Sequence, residues 1–193
     1  MNEKFEINEM PKEKSMGREI VEWILCFAIA FAVAFFIKSY IMTVAEVDGE
    51  SMLDTLHHKE RLITWKLGYV PKQNDVIIFE PASSTKAYKK FYVKRVIATE
   101  GQTVKIDYEL DEVYVDGVKL SEPYIHEKDM AKPYWSNESS EWTVPEGHVF
   151  VLGDNRNHSS DSRASDVGFV SHESIEGKVL FRFWPLNKIG IVK

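Results

Sequence analysis

Ser51 is the side chain whose surroundings first suggest chemistry. It lies in the segment 49–56, GESMLDTL, which follows an apolar run of membrane-spanning length almost at once. A serine hydroxyl in this place could attack a peptide that emerges from the same membrane, provided that a general base takes its proton. Serine is also common in turns, so the segment taken alone fits an ordinary loop as well.

Lys94 is the candidate for that base. It lies in the run 91–98, FYVKRVIA, whose apolar and aromatic composition is typical of a β-strand. Side chains alternate between the faces of a strand, so Lys94 shares its face with Tyr92 and Val96. Burial among such groups lowers the pKa of a lysine, and a neutral amine can accept a proton from a serine. The alternative is an ordinary lysine that extends to solvent from a sheet edge.

A third polar segment, 153–163 with the sequence GDNRNHSSDSR, follows directly after an apolar run. Its density of Gly, Asp, Asn and Ser is typical of a tightly hydrogen-bonded loop. Within it, the spacing of Asp161 and Arg163 allows them to pair with each other or with buried backbone. A solvent-exposed loop would have a similar composition.

The histidines suggest neither a base nor a metal site. None of the six has a local setting typical of a catalytic base. His57 and His58 are adjacent, but neighbouring residues of a strand point to opposite faces, and no third ligand follows at a suitable spacing. We therefore expect no metal and no cofactor.

The apolar run is the element that must position Ser51, and residues 20–44 are predicted to form a single transmembrane helix. This length suffices for a bilayer, and the charged residues inside it, Glu22 and Lys38, can lie near the interfaces. A buried core helix is one alternative, but a much larger protein would be needed to cover it. A cleaved signal peptide is another, but its apolar part would be shorter.

The distribution of basic residues predicts the orientation of this helix. Four basic residues lie in the tail 1–19, whereas Lys38 is followed by no other basic residue until Lys59. The positive-inside rule places this tail in the cytoplasm and residues 45–193 on the outer side of the cell membrane. The single Cys26 lies in the apolar run, so the outer domain must be stable without disulfides.

Short runs rich in β-branched and aromatic residues predict that 45–193 is a mainly β domain with an antiparallel sheet. Asp116-Gly117 between two such runs predicts a tight hairpin, and the polar stretch 127–142 predicts an exposed insertion or a long hairpin. The net charge of −6 argues against a nucleic-acid partner. The predicted strands are 61–66, 75–79, 91–98, 103–107, 113–115, 118–120, 149–152 and 178–183.

Four segments after the predicted span resemble, in order and spacing, the motifs of type I signal peptidases, which are membrane-bound serine proteases with a Ser/Lys dyad. These segments are 49–56, 74–79, 92–101 and 153–163. The resemblance implies a signal-peptidase-type β domain that cleaves signal peptides from exported precursor proteins after small residues of the Ala-x-Ala type. It implies that Ser51 is the nucleophile and Lys94 the general base, with no cofactor.

The same resemblance implies roles for further residues. Ser159 would hydrogen-bond the catalytic lysine, while Asp161 and Arg163 would brace the site. The Ser51 backbone N–H would stabilise the oxyanion, and Gly49 supplies no side-chain donor beside it, as in the Gram-positive type of the enzyme. Shallow apolar pockets for the substrate residues at −1 and −3 would be lined by Val47, Met52, Leu56, Tyr92 and Val93.

Two positions depart from the family pattern. Asp54 stands where proline is usual, so it would loosen the turn and place a carboxylate near Lys94 that favours the ammonium form. Asn74 in place of glycine is a milder change. Two other functions stay open. A relative of the self-cleaving repressor proteases would share the dyad but not the membrane span, and a catalytically weak or silent anchored domain that binds exported proteins is supported by Asp54 alone.

Overall fold

The computed structural model describes residues 16–85, 89–126, 129–132 and 140–193, in two compact units that divide after Lys38. The first unit contains helix α1, Met16–Phe36, and the chain continues in a π-helical turn, Ile37–Ile41. The side chains of this helix are largely exposed, and its length and hydropathy are sufficient to cross a membrane.

The boundaries of this helix differ from the predicted window of 20–44. It begins at Met16, and residues 42–44 belong instead to the first β-strand. Hydropathy alone could not separate the two elements, because the apolar run continues without a break into the strand.

The second unit is mainly β, as predicted. Its strands are β1 (Met42–Glu46), β2 (Arg61–Trp65), β3 (Val76–Phe79), β4 (Tyr92–Thr99), β5 (Thr103–Asp107), β6 (Glu112–Val115), β7 (Val118–Lys119), β8 (Glu141–Thr143), β9 (His148–Leu152), β10 (Val170–Ser171), β11 (Ile175–Trp184) and β12 (Gly190–Ile191). Three 3₁₀ turns are Arg156–His158, His172–Ser174 and Leu186–Lys188.

These strands form two antiparallel sheets. The larger has the order β1-β2-β11-β3-β4-β9-β10, with β12 paired to β11, and the smaller has the order β7-β6-β5-β8. The predicted hairpin joins β6 to β7, and both Asp116 and Gly117 have the positive φ that such a turn requires (51° and 78°). Strand β11 lies between β2 and β3, so it joins the two halves of the larger sheet.

Apolar residues of the larger sheet pack in three clusters, and one of them lies beneath the Ser51 segment. That cluster joins Val47, Met52 and Leu56 to side chains of β2, β3 and β11. The alternation predicted for β4 is interrupted by an irregularity in its pairing with β9 between Val96 and Ala98. Five consecutive residues of β4, 94–98, are buried, because side chains of this strand pack into two different clusters.

The insertion predicted at 127–142 falls partly outside the described residues, which omit 127–128 and 133–139. Where it is described, the prediction of an exposed segment is wrong at two places. Met130 is buried in the core under the smaller sheet, and its backbone N–H donates to Asp111 Oδ1 over 2.7 Å. Residues 141–142 belong to β8, which pairs with β5. Because the surrounding residues are polar, the sequence pattern indicated neither of these contacts.

Candidate active site

Ser51 and Lys94 meet in the structure. Ser51 lies in a turn five residues beyond β1, and Lys94 is the third residue of β4. The Lys94 Nζ atom donates to Ser51 Oγ over 2.8 Å and to the Val93 carbonyl oxygen over 2.9 Å. It also lies 5.2 Å from the centre of the Tyr92 ring. The amine is thus directed at the hydroxyl by contacts on several sides.

Burial sets the basicity of this amine. Lys94 is only 4% exposed, and loss of hydration lowers its pKa from 10.5 to about 8. The carboxylates of Asp161 and Asp154 act in the opposite direction, because each favours the ammonium ion. The resulting lysine can exchange a proton close to neutral pH, as a general base must.

The Ser51 turn is attached to the polar segment 153–163 through its backbone. The Asn155 N–H donates to the Ser51 carbonyl oxygen over 3.1 Å, and Asn155 Nδ2 donates to the Glu50 carbonyl oxygen over 3.2 Å. At the other end of the turn, Thr55 Oγ1 donates to Asp154 Oδ2 over 2.5 Å. Two consecutive residues of the polar segment therefore hold both ends of the turn.

Arg95 and Asp154 form a buried pair behind this attachment. Arg95 Nε and Nη2 donate to the two Asp154 oxygens over 2.9 and 2.7 Å, and both side chains are 1% exposed. The guanidinium also stacks on the Tyr124 ring, 3.9 Å from its centre. Such a bidentate, desolvated pair fixes the orientation of both partners. It therefore fixes the carboxylate that holds Thr55.

Asp161 and Arg163 form a second bidentate pair, with distances of 2.8 and 2.9 Å. Asp161 also accepts from the Gly153 N–H over 3.1 Å, and Arg163 donates to the Arg156 carbonyl oxygen over 2.6 Å. Burial alone would raise the pKa of Asp161, but the charge and hydrogen bonds of Arg163 outweigh it and lower that pKa. The anion beside Lys94 is therefore permanent across the neutral range.

Ser159 lies close to this pair, but its predicted hydrogen bond to Lys94 is not formed. Within the described residues its buried hydroxyl has no partner of good geometry, although it lies near enough to Asp161 to favour the carboxylate anion. Ser159 instead packs against Gly153, where an added Cβ atom would lie 2.2 Å from Ser159 Oγ. The amine uses Ser51 and the Val93 carbonyl oxygen instead.

Asp54 does not act on Lys94, and the expectation that it would favour the ammonium ion is wrong. Its side chain is 71% exposed, and Oδ1 lies 3.0 Å from His126 Nδ1. The carboxylates that raise the pKa of Lys94 are Asp161 and Asp154. The turn after Ser51 directs the Asp54 side chain outward, an orientation that proximity in sequence could not reveal.

The residues predicted to line substrate pockets lie around Ser51 with different exposure. Val47, Met52 and Leu56 belong to one buried cluster, and the half-buried Val93 packs against it. Tyr92 is half-buried in the neighbouring cluster, edge-on to Phe79. Leu56 is completely covered, at 0% exposure, so it lies below the surface that a peptide would contact. A role for these side chains in substrate binding stays a prediction.

Among the residues that the structure describes, no three His, Cys, Asp or Glu side chains gather closely enough to hold a metal ion. His57 and His58 face different carboxylates, Glu60 at 3.7 Å and Asp48 at 3.3 Å. They therefore do not form the adjacent pair of ligands that their sequence positions suggest.

Comparison with known proteins identifies the family. Residues 20–184 match the family described as "Signal peptidase, peptidase S26". The chain belongs to the S26 signal peptidases. It is 36% identical to signal peptidase IB of Staphylococcus aureus strain COL, over 90% of this chain and 94% of that protein. It is 34% identical to signal peptidase I of Bacillus licheniformis, over 93% of this chain and 98% of that protein.

Among solved structures, a signal peptidase I from Enterococcus faecalis V583 is 35% identical and superposes with a TM-score of 0.43, covering 57% of this chain and 97% of that chain. Membership of the S26 signal peptidases assigns the chain to the serine-protease hydrolases. The apolar helix α1 agrees with the membrane anchor of enzymes in this family.

Several residues that shape this signal peptidase site had no individual role in the sequence interpretation. Arg95, Asp154 and Thr55 form one connected set of hydrogen bonds, and Arg156 donates to Glu122 from Nη1 and Nη2. The feature of the sequence that could have indicated these contacts is Arg95, an arginine in the middle of an apolar strand. An arginine buried in this way needs a carboxylate partner, but the partner lies 59 residues away.

Proposed function

We propose that this chain is a membrane-anchored serine endopeptidase that removes N-terminal signal peptides from exported precursor proteins. Ser51 is the nucleophile and Lys94 the general base. The observation that carries the proposal is the 2.8 Å hydrogen bond between a buried amine and the Ser51 hydroxyl. The lowered pKa of that amine, about 8, supports its use as a base.

In the proposed reaction, neutral Lys94 takes the Ser51 proton while Oγ attacks the scissile carbonyl carbon. The tetrahedral intermediate then collapses to an ester on Ser51, and the Lys94 ammonium gives its proton to the departing amine. A water molecule next attacks the ester, with Lys94 again accepting the proton. The Lys94 ammonium returns this proton to Ser51 Oγ as the second tetrahedral intermediate collapses, and the signal peptide leaves with a new carboxyl group. The Ser51 backbone N–H is the proposed donor to the oxyanion, without a side-chain donor from Gly49.

The charges around Lys94 support a base of intermediate strength. Without Asp161 and Asp154, burial would lower the lysine pKa further, and the neutral amine would be a weaker base. The Val93 carbonyl oxygen accepts one of its protons and so directs the amine. Asp161 is itself oriented by Arg163. The proposed roles of Asp161 and Arg163 are thus to orient and tune the base, and Ser159 is proposed to fill the space between them and Gly153.

The apolar side chains beside Ser51 support cleavage after small residues of the Ala-x-Ala type. Val47, Met52 and Val93 lie in one cluster next to the nucleophile, and Tyr92 borders the amine. A shallow apolar surface can accept a methyl group but rejects larger side chains by steric exclusion. Leu56 and Met52 are proposed to support this surface from below, since both are fully buried.

The proposed topology has one membrane span within 16–41, with the N-terminal tail in the cytoplasm and the β domain on the outer side of the cell membrane. The basic residues of the tail support this orientation. Most of the tail, 1–15, lies outside the described residues. A signal peptide held in the same bilayer would present its cleavage site near the outer surface, where Ser51 follows the span closely in the chain.

The direct test is processing of a precursor with an Ala-x-Ala signal peptide by the full chain in liposomes. Ser51→Ala and Lys94→Ala should each lower the rate by at least about a thousandfold, and the double variant should be no worse. Lys105→Ala, an exposed lysine of β5, is the matched control and should process normally. Residual processing by Ser51→Ala would overturn the proposal. Normal binding of the precursor without any turnover by the natural chain would favour a binding domain instead.

A further inference from the structure

We infer that the pair between Asp54 and His126 positions the nucleophile by holding the middle of the Ser51 turn. This inference rests on the proposed role of Ser51. Asp54 Oδ1 lies 3.0 Å from His126 Nδ1, although the two residues are 72 positions apart in the chain. The contact therefore joins the turn to a different part of the fold, the segment that precedes residue 127.

Several contacts attach the turn to other parts of the fold, on both sides of Asp54. At its start, Asn155 donates to the carbonyl oxygens of Glu50 and Ser51. At its end, Thr55 donates to Asp154. Asp54 lies between these attachments, three residues from the nucleophile. Loss of its contact would leave Met52 and Leu56 anchored in the core but would release the Asp54 backbone from its link to His126.

His126 is itself fixed to the same structure that holds the turn. Its backbone N–H donates to the Asp154 carbonyl oxygen over 3.1 Å. Asp154 is immobilised by its bidentate pair with Arg95. The side-chain pair thus closes a ring of contacts that runs from Ser51 through Asp54, His126 and Asp154 back to the turn. A closed ring restricts rotation of the turn about its two ends, and that rotation would change the position of Ser51 Oγ.

The other carboxylates near His126 already have partners of their own. Asp154 is paired with Arg95, and Glu122, four residues before His126, is paired with Arg156. The Asp54 and His126 side chains are 71% and 34% exposed, so solvent weakens the pair. An exposed pair of this kind corresponds to an effect of about 2- to 5-fold on a rate. The pair is therefore a positioning element and not a condition for catalysis.

The expected kinetic effect is specific. Asp54→Ala and His126→Ala should each lower kcat by about 2- to 5-fold, and the double variant should be no slower than either one. KM should stay within about twofold, because neither side chain belongs to the apolar surface proposed to contact the substrate. His126→Asn should recover most of the rate, since an asparagine amide can donate from the position of Nδ1.

The experiment measures kcat and KM of the full chain in detergent with a fluorogenic signal-peptide substrate, together with a melting curve for each variant. His148→Ala is the matched control, because that ring contacts the Glu146 carbonyl oxygen away from the turn. Additive losses, a change confined to KM, or failure of His126→Asn to recover activity would overturn the inference. So would normal rates for both alanine variants. Ser51→Ala is measured in the same experiment. Residual activity of that variant would refute Ser51 as the nucleophile, whereas the outcomes above refute only the role of the Asp54–His126 pair.

Discussion

Lys94 Nζ and Ser51 Oγ lie 2.8 Å apart, although Lys94 belongs to β4 and Ser51 follows β1 at the far edge of the same sheet. Three strands, β2, β11 and β3, separate β1 from β4 in the strand order. The contact is possible because Val47, between β1 and the nucleophile, packs in one cluster with Val93 of β4. The segment after β1 thus crosses toward β4 and brings the hydroxyl to the amine.

The rate of precursor cleavage should rise with pH through a midpoint near 8. In the proposed mechanism neutral Lys94 is the active form of the base, and burial lowers its pKa to about 8. The neutral fraction therefore increases as pH rises through that value, and kcat/KM should follow it. The measurement is kcat/KM of the free enzyme between about pH 5.5 and 9.5. A flat profile, or a midpoint near the ordinary lysine value, would contradict this prediction.

Asp54→Asn provides the control for that profile. The carboxylates that raise the pKa of Lys94 are Asp161 and Asp154, whereas the Asp54 side chain faces His126. The midpoint should therefore stay near that of the natural chain even if the maximum rate decreases. A midpoint that moved to lower pH would show that Asp54 does reach the amine.

Replacing Lys94 by methionine should abolish activity and stabilise the fold, and the gain should depend on pH. The lysine pKa is lowered in the folded state, so the unfolded chain binds more protons than the folded chain between about pH 8 and 10.5. The natural chain therefore gains stability as pH rises through this window. Removing the desolvated charge should stabilise the domain by about 1–4 kcal/mol at about pH 6.5 and by less at about pH 9.5. Urea unfolding at both pH values measures the difference, and an equal gain at both would contradict the assignment.

Gly153→Ala should displace Ser51 or Ser159 from its present position. A Cβ atom at this position would lie 2.2 Å from Ser159 Oγ and 2.5 Å from the Ser51 carbonyl oxygen, so one of these groups must move. We expect at least a tenfold loss of kcat, together with a loss of about 1–3 kcal/mol of stability from overpacking. Gly190→Ala is the control, because its Cβ would meet no atom within 4 Å. Equal kinetics for the two variants would contradict the close approach.

Arg163→Ala should lower stability far more than removal of an exposed arginine. It leaves the fully buried Asp161 without its bidentate partner, which costs about 3–5 kcal/mol. Arg61→Ala removes a pair with Glu46 in which the arginine side chain is 53% exposed, so it should cost less than about 1 kcal/mol. Thermal unfolding of both variants tests the contrast. Similar melting temperatures would mean that the Asp161 charge is compensated by other groups.

Much of the β domain could be predicted because its long strands have strong local patterns. The runs containing β3 and β4 are dense in β-branched residues, and the Asp116-Gly117 turn marks its hairpin unambiguously. Strands β10 and β12 contain only two residues each, which is too short for a periodic pattern. Each forms by backbone hydrogen bonding to a neighbouring strand, β10 to β9 and β12 to β11.

The residues of the candidate site could likewise be predicted only in part from the sequence. The resemblance to signal peptidases proposed Ser51 and Lys94 as a pair, but the spacing of residues could not show that they touch. The direction of the Asp54 side chain, the partner of Arg95 and the burial of Met130 all depend on residues distant in sequence. Such contacts follow from the tertiary fold, and neither periodicity nor charge pattern in one segment contains them.

The position of β11 makes completion of the larger sheet a late event in the synthesis of the chain. This strand, Ile175–Trp184, joins the half of the larger sheet that carries the nucleophile turn to the half that carries β4. Its partners in β2 and β3 leave the ribosome long before it does, and they cannot be joined through the sheet in its absence. Pairing across such long sequence separations is a slow step of folding. In the proposed mechanism, the sheet that brings Lys94 to Ser51 can therefore be completed only after β11 has been synthesised.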